Sequence, residues 1–208
     1  MDSGITVTGT GQAQAPADLL RLQLSIGRSA SDVSDAVDAV AGKTEAAKAA
    51  LIGQGVAAAD IRTSSVNVFP EYGDGMRVTG YRASHTLSVS TADLTGFGRL
   101  LKAVVAAVGN DLGLDQLSFD IDDKTALVEQ ARHSAFADAR DRARHLADLA
   151  GRELGVIDSV IESRNHGGYE PMDFAVPLKG RAAGSPEIAV SPGQQTVEAS
   201  VTVRWSWQ

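Results

Sequence analysis

The stretch from Asp122 to Gly151, DDKTALVEQARHSAFADARDRARHLADLAG, constrains this chain more than any other. It has no proline and no internal glycine, so nothing along it breaks a helix. At about 100° per residue, one face collects Leu127, Val128, Ala131, Ala135, Phe136, Ala139, Ala143, Leu146, Leu149 and Ala150. The opposite face carries Glu129, His133, Arg140, Asp141, Arg144 and Asp148. Asp122 and Asp123 stand where the helix dipole favours carboxylates, and Gly151 stands as a C-terminal stop. Glu129–His133, Asp138–Arg142, Asp141–His145 and Asp148–Arg152 are spaced by four, and each pair adds a few tenths of a kcal/mol on a solvated face. An apolar face made mostly of alanine predicts close approach to a flat partner, which means a sheet.

The remaining segments supply strands. Ile5, Val7, Gly9, Gly11 and Ala13 alternate with polar residues, so Ile5 to Gln14 reads as a strand whose far half is very small. Leu20, Leu22, Leu24 and Ile26 alternate with Arg21, Gln23 and Ser25, and the turn Ala15-Pro16-Ala17-Asp18 predicts a hairpin between the two. Ser31 or Asp32 caps a helix with Val33, Val37, Val40, Ala47 and Leu51 on its apolar face, ending near Gly53. Ile61 to Pro70 and Val78 to Thr91 read as a hairpin with long arms around the turn Glu71 to Gly75. Asp93 begins a second helix carrying Leu94, Phe97, Leu100, Leu101, Val104, Val105 and Val108. Leu117, Phe119 and Ile121 form a short strand, Val156 to Glu162 another, and Val197 to Trp207 alternates most cleanly of all.

The order is ββαββαβαββ. Helices that separate hairpins predict an α+β fold, a mixed, mostly antiparallel sheet with helices packed on one face. The ββα pattern at 5–53 and again at 61–109 suggests duplicated units, and 1–208 reads as a single domain. Residues 164–194 hold five glycines and four of the six prolines, a long irregular loop of the kind that has a functional or disordered reason.

Composition excludes several functions. Cysteine is absent, which rules out disulfides, thiolate metal sites and cysteine nucleophiles. A net charge of −7, with no basic face interleaved with aromatics, argues against nucleic acid and anionic membranes. The longest apolar run, Ala103 to Val108, is far short of the roughly 20 residues of a membrane-spanning helix. The start, MDSGITV, has neither a basic nor an apolar leader region, so the sequence as written reads as cytoplasmic, or as periplasmic or exported after removal of a leader.

Motifs for chemistry are equally sparse. Gly9-Thr10-Gly11-Gln12-Ala13-Gln14 resembles a dinucleotide loop only superficially, because Pro16 and a strand follow where a helix must open. Its small residues read instead as close packing between strands. The histidines are His85, His133, His145 and His166, and His133 and His145 lie about 18 Å apart along one helix, too far to share a metal. Asp115, Asp120, Asp122 and Asp123 lack EF-hand spacing and read as helix-start charge. No Gly-x-Ser-x-Gly elbow is present. No catalytic residue, cofactor or metal ligand is assigned. Interface candidates are Tyr81, His85, Trp205 and Trp207, together with Tyr169 and Phe174 in the long loop, where Met172 and Val176 add further apolar surface.

Four segments taken together resemble the SIMPL-domain family, bacterial proteins typified by periplasmic oxidative-stress and immunogenic outer-membrane proteins. They are ITVTGTGQAQAPAD at the start, GYRASHTLSVSTADLTGFGRLL at 80–101, LDQLSFDIDD with the alanine-rich segment that follows, and SPGQQTVEASVTVRWSW at the end. The resemblance implies ββα units, an extended hairpin arm and assembly into large rings, and it offers no catalytic motif to carry over. The expected function is therefore that of a non-enzymatic, self-associating protein in stress defence or the cell envelope, acting as a homo-oligomer and through protein partners. The alternative is a small-molecule binder or enzyme with a site under the loop 164–194, where Tyr81, Arg82, His85 and His166 would converge.

Overall fold

The computed structural model describes residues 4–163 and 190–208. Its elements follow the expected order: β1 (Gly4–Pro16), β2 (Leu19–Ala30), α1 (Val33–Gly53), β3 (Ile61–Tyr72), β4 (Val78–Thr91), α2 (Phe97–Val108), β5 (Leu112–Asp120), α3 (Thr125–Leu149), β6 (Leu154–Ser163) and β7 (Gln194–Trp207). The fold is α+β. Every strand pairing is antiparallel, and the strands form two sheets, β1-β7-β6 and β3-β4-β2-β5, where one mixed sheet is expected from the sequence.

The chain divides into two compact units. The first is built from the N-terminal strand, residues 121–163 and the C-terminal strand. In it β1 pairs with β7 along its whole length, Gly4 against Ser206 through Pro16 against Gln194. The predicted β1–β2 hairpin therefore does not form, since β2 takes β4 and β5 as neighbours. Alternation with period two fixes which face of a strand is buried and says nothing about which strand lies beside it.

Helix α3 lies on this three-stranded sheet. Its buried residues are Ala131, Ala135, Ala139, Ala143 and Ala147, one every fourth position. The first four pack with Val7, Ala13, Ala199, Val201, Val203 and Trp205. The seam is narrower than the sequence suggests: Leu146 and Leu149, expected on the buried face, are exposed, and Ala147 is buried instead. The glycines of β1 explain this. A Cβ at Gly9 would stand 2.7 Å from the Ala139 Cβ, and one at Gly11 would stand 2.8 Å from the Ser134 carbonyl carbon. The small residues of β1 thus admit a helix, not a neighbouring strand as the sequence suggests.

The second unit holds residues 17–120 and 184–193. Leu20, Leu22, Leu24 and Ile26 of β2 and Ala83, Leu87 and Val89 of β4 form one buried face. Ala36, Val40, Ala47 and Leu51 of α1 and Phe97, Leu100, Val104 and Val108 of α2 cover that face. Thr44 is buried within α1 and donates its hydroxyl to the Val40 carbonyl at 2.8 Å, so its polar atom is satisfied. Val33, Val37 and Val105, expected on apolar faces, stay exposed because they flank the seam. β3 and β4 form the expected hairpin, and Glu71 to Gly80 run past the last β2–β4 pair, Ala30 with Tyr81. Only the second ββα segment therefore contains a hairpin.

Candidate functional site

The polar residues that chemistry could use are largely tied into the fold. Asp111 joins Arg28 of β2 at 3.1 Å and Lys43 of α1 at 2.9 Å. Lys43 also donates to the Val108 carbonyl at 2.7 Å, which covers the C-terminal end of α2 with a cation. The hydrogen bond from Lys43, then the charge of Arg28, hold the Asp111 carboxyl below the usual range. Asp93 accepts the amide and hydroxyl of Thr95 and pairs with Arg99 at 2.6 Å, and the Thr95 hydroxyl is the largest cause of its lowered pKa.

The acidic residues of the predicted cluster have structural partners of their own. Asp115 accepts from Ser25 at 2.7 Å, Asp120 is buried against Arg21 at 3.0 Å, and Asp123 accepts the Thr125 amide at the start of α3. Among the described residues, no group of three or more His, Asp or Glu is arranged to hold a metal ion. An open cleft of about 560 Å³ is lined by Gln54, Thr95, Gly96, Arg99, Lys102 and Ala103. Arg99 there is engaged by Asp93, and the lining holds no nucleophile–base pair.

The constellation expected under the long loop does not assemble among the described residues. Tyr81 and His85 share the helix-covered face of β4, four positions and so about 13 Å apart. Arg82 points the other way, with its guanidinium over Gly27. His85 bonds Thr63 at 2.9 Å, and burial first, then the Lys48 charge, lower its pKa. His166 lies outside the described residues, as do Tyr169, Phe174 and the part of the loop from 164 to 189.

Of the remaining interface candidates, Trp205 is 3% exposed and belongs to the core beneath α3, so its indole is not presented to a partner. Trp207, Tyr81 and His85 are half-buried. Exposed apolar surface lies elsewhere, on the strands expected at 61–70 and 78–91 and at the turn between them. On the β3–β4 hairpin, Val66, Val68, Phe69, Tyr72, Met76 and Val78 are exposed, Phe69 by 61% and Met76 by 85%. Among the described residues β3 is an edge strand, with no strand paired to its outer side. Met76 holds a left-handed φ of 59°, a conformation that costs a side-chain-bearing residue about 1–2 kcal/mol. Gly75 before it has a φ of 73°, so two consecutive left-handed residues shape the turn of the hairpin and leave Met76 exposed at its tip.

No helix among the described residues is long and apolar enough to cross a membrane. The chain is similar to the 26 kDa periplasmic immunogenic protein of Brucella melitensis biotype 1, with 27% identity over 96% of this chain and 82% of the relative. The protein of the same name from Brucella abortus strain S19 matches with the same identity and coverage. Neither name mentions a catalytic activity. The SIMPL family model, described as a protein of unknown function (DUF541), matches residues 5–205, and the chain belongs to that family.

Proposed function

We propose that this chain is a non-enzymatic cell-envelope protein that works by self-association, with the β3–β4 hairpin as its contact surface. The carrying observation is the exposed apolar side chains of this hairpin: Val66 and Val68 on one face of β3, Phe69 on the other, and Tyr72, Met76 and Val78 around the turn. Exposed apolar patches of this kind mark protein interfaces more often than solvated surface. Tyr81 and His85 lie at the flank of the patch, since Pro70 pairs with Tyr81 and Val66 with His85. The periplasmic relatives support an exported location, and the family resemblance extends the reading to stress defence. The family match draws on both units, which supports treating 1–208 as one SIMPL-like domain.

The test is light scattering at tens of micromolar protein. An assembly larger than a monomer is expected, and Phe69→Ser with Met76→Ser should lower its mass without loss of secondary structure. A wild-type protein that stays monomeric refutes the reading.

A further inference from the structure

The three-stranded sheet has two edges, and the fold treats them differently. β1 is closed. Asp138 of α3 accepts the Thr10 amide at 2.9 Å, and Arg142 donates to the Thr8 carbonyl at 3.4 Å. The two side chains also pair with each other at 2.9 Å. An ion pair thus occupies the backbone groups that another strand would need, one of the ways a sheet edge is protected from pairing.

β6, at the opposite edge, carries Val156, Ile157, Val160 and Ile161, all exposed, Val156 by 72%. Its charges are already balanced: Glu162 pairs with Arg132 at 2.6 Å, and Asp158 faces Arg204 at 3.7 Å. The sequence Val156-Ile157-Asp158-Ser159-Val160-Ile161 reads nearly the same in both directions by residue class. Run antiparallel against itself, it sets valine or isoleucine opposite isoleucine or valine, and sets Asp158 opposite a serine instead of another aspartate.

In a regular strand this register fails, because residues 157 and 160 point to opposite faces, whereas residues opposite one another across a two-fold must share a face. The register of β6 on β7 shifts between Leu154 and Ile157 and again between Ile157 and Ser159. The second shift places Ile157 beside Trp205 and Val160 beside Val203, and both partners belong to the core beneath α3, so they share a face. The bulge therefore restores the face match that the palindrome needs.

We propose that β6 is a homotypic interface: two copies of the chain pair β6 with β6 about a two-fold axis at Asp158–Ser159. Ile157 meets Val160 of the second copy, and Val156 meets its Ile161. This rests on the self-association proposed above and adds a surface separate from the hairpin. The bulges thin the backbone ladder, so side chains carry most of the contact.

The chain has no cysteine, so engineered thiols report this contact alone. In the proposed register residues 157 and 160 of two copies are directly opposite, within disulfide reach, while 157 and 157 are about 10 Å apart and beyond it. Ile157→Cys mixed with Val160→Cys should cross-link under mild oxidant at least tenfold more than either variant alone. Val160→Lys should halve the assembly mass seen by light scattering. A mixture that cross-links no better than the single variants, or an unchanged mass for Val160→Lys, overturns the β6 interface. Loss of assembly on hairpin substitution alone would then leave the proposed function standing, whereas a wild-type monomer removes both.

Discussion

Gly9→Ala tests whether α3 sits on β1 because a side chain is missing there. The added Cβ would lie 2.7 Å from the Ala139 Cβ and closer still to the Ala135 carbonyl oxygen and the Ala139 amide nitrogen. Two of these are backbone atoms of a 25-residue helix, so no rotamer change relieves the contact and an element has to move. Overpacking of this kind costs about 1–3 kcal/mol, offset by the roughly 0.5–1 kcal/mol that alanine gains over glycine inside a strand. The expected net loss is about 1–2 kcal/mol. Gly42→Ala, in α1 of the other unit, is the control and is followed by far-ultraviolet circular dichroism: a Cβ there meets nothing within 4 Å, and alanine gains about 0.8–1 kcal/mol over glycine inside a helix, so its midpoint should not fall. Both tryptophans, Trp205 and Trp207, belong to the unit that contains β1 and α3, so tryptophan fluorescence during urea unfolding reads that unit. For a slope near 2 kcal/mol per M, Gly9→Ala should lower the midpoint by about 0.5–1 M. A midpoint equal to or above that of the wild type would refute the close-packed seam.

Three further outcomes follow from named contacts. Asp111→Asn should lower stability at pH 7. The Lys43 hydrogen bond and then Arg28 depress the folded pKa, so the carboxylate's contribution is complete above the unfolded value of about 3.9 and is lost as pH falls through the lower folded value. Urea midpoints of wild type and variant should therefore converge below about pH 3.9. His85 has the opposite charge type and a lowered pKa, so the unfolded chain binds its proton more readily and stability should drop as pH falls through about 6.5. His85→Gln should flatten that drop between pH 7.5 and 5.5, as followed by far-ultraviolet circular dichroism. Met76→Gly should raise stability by about 1 kcal/mol by relieving the left-handed φ, and should weaken assembly in light scattering. A stabilised variant that assembles as before removes Met76 from the interface.

The elements of this fold can be read from the sequence because each carries its own period: four between the alanines of α3, two along β2 and β7. The partners cannot, because a period names a face and not a neighbour. β1 shows the limit, since Val7, Gly9, Gly11 and Ala13 announce a strand with one small-residue face, and its partner β7 lies at the far end of the chain. Trp205, an interface candidate for its aromatic character, lies in the core for a related reason. Trp205 stands at the same period as Val203 and Val201, and that period assigns it to the core.

The seam itself was present in the letters once two periods are compared. Two strand residues span about 6.8 Å and four helical residues about 6 Å. A Gly-x-Gly strand and an alanine at every fourth helical position therefore keep step over a short distance. Gly9 meets Ala135 and Ala139, and Gly11 meets Ala131 and Ala135, one helical turn for each strand repeat. The same closeness brings Asp138 and Arg142, which the sequence presents as an ordinary surface pair, over the edge of β1. Among the described residues, closing one edge leaves β6 as the edge of that sheet with no strand beside it, so the packing that makes α3 a scaffold also selects the edge at which we propose that two copies pair.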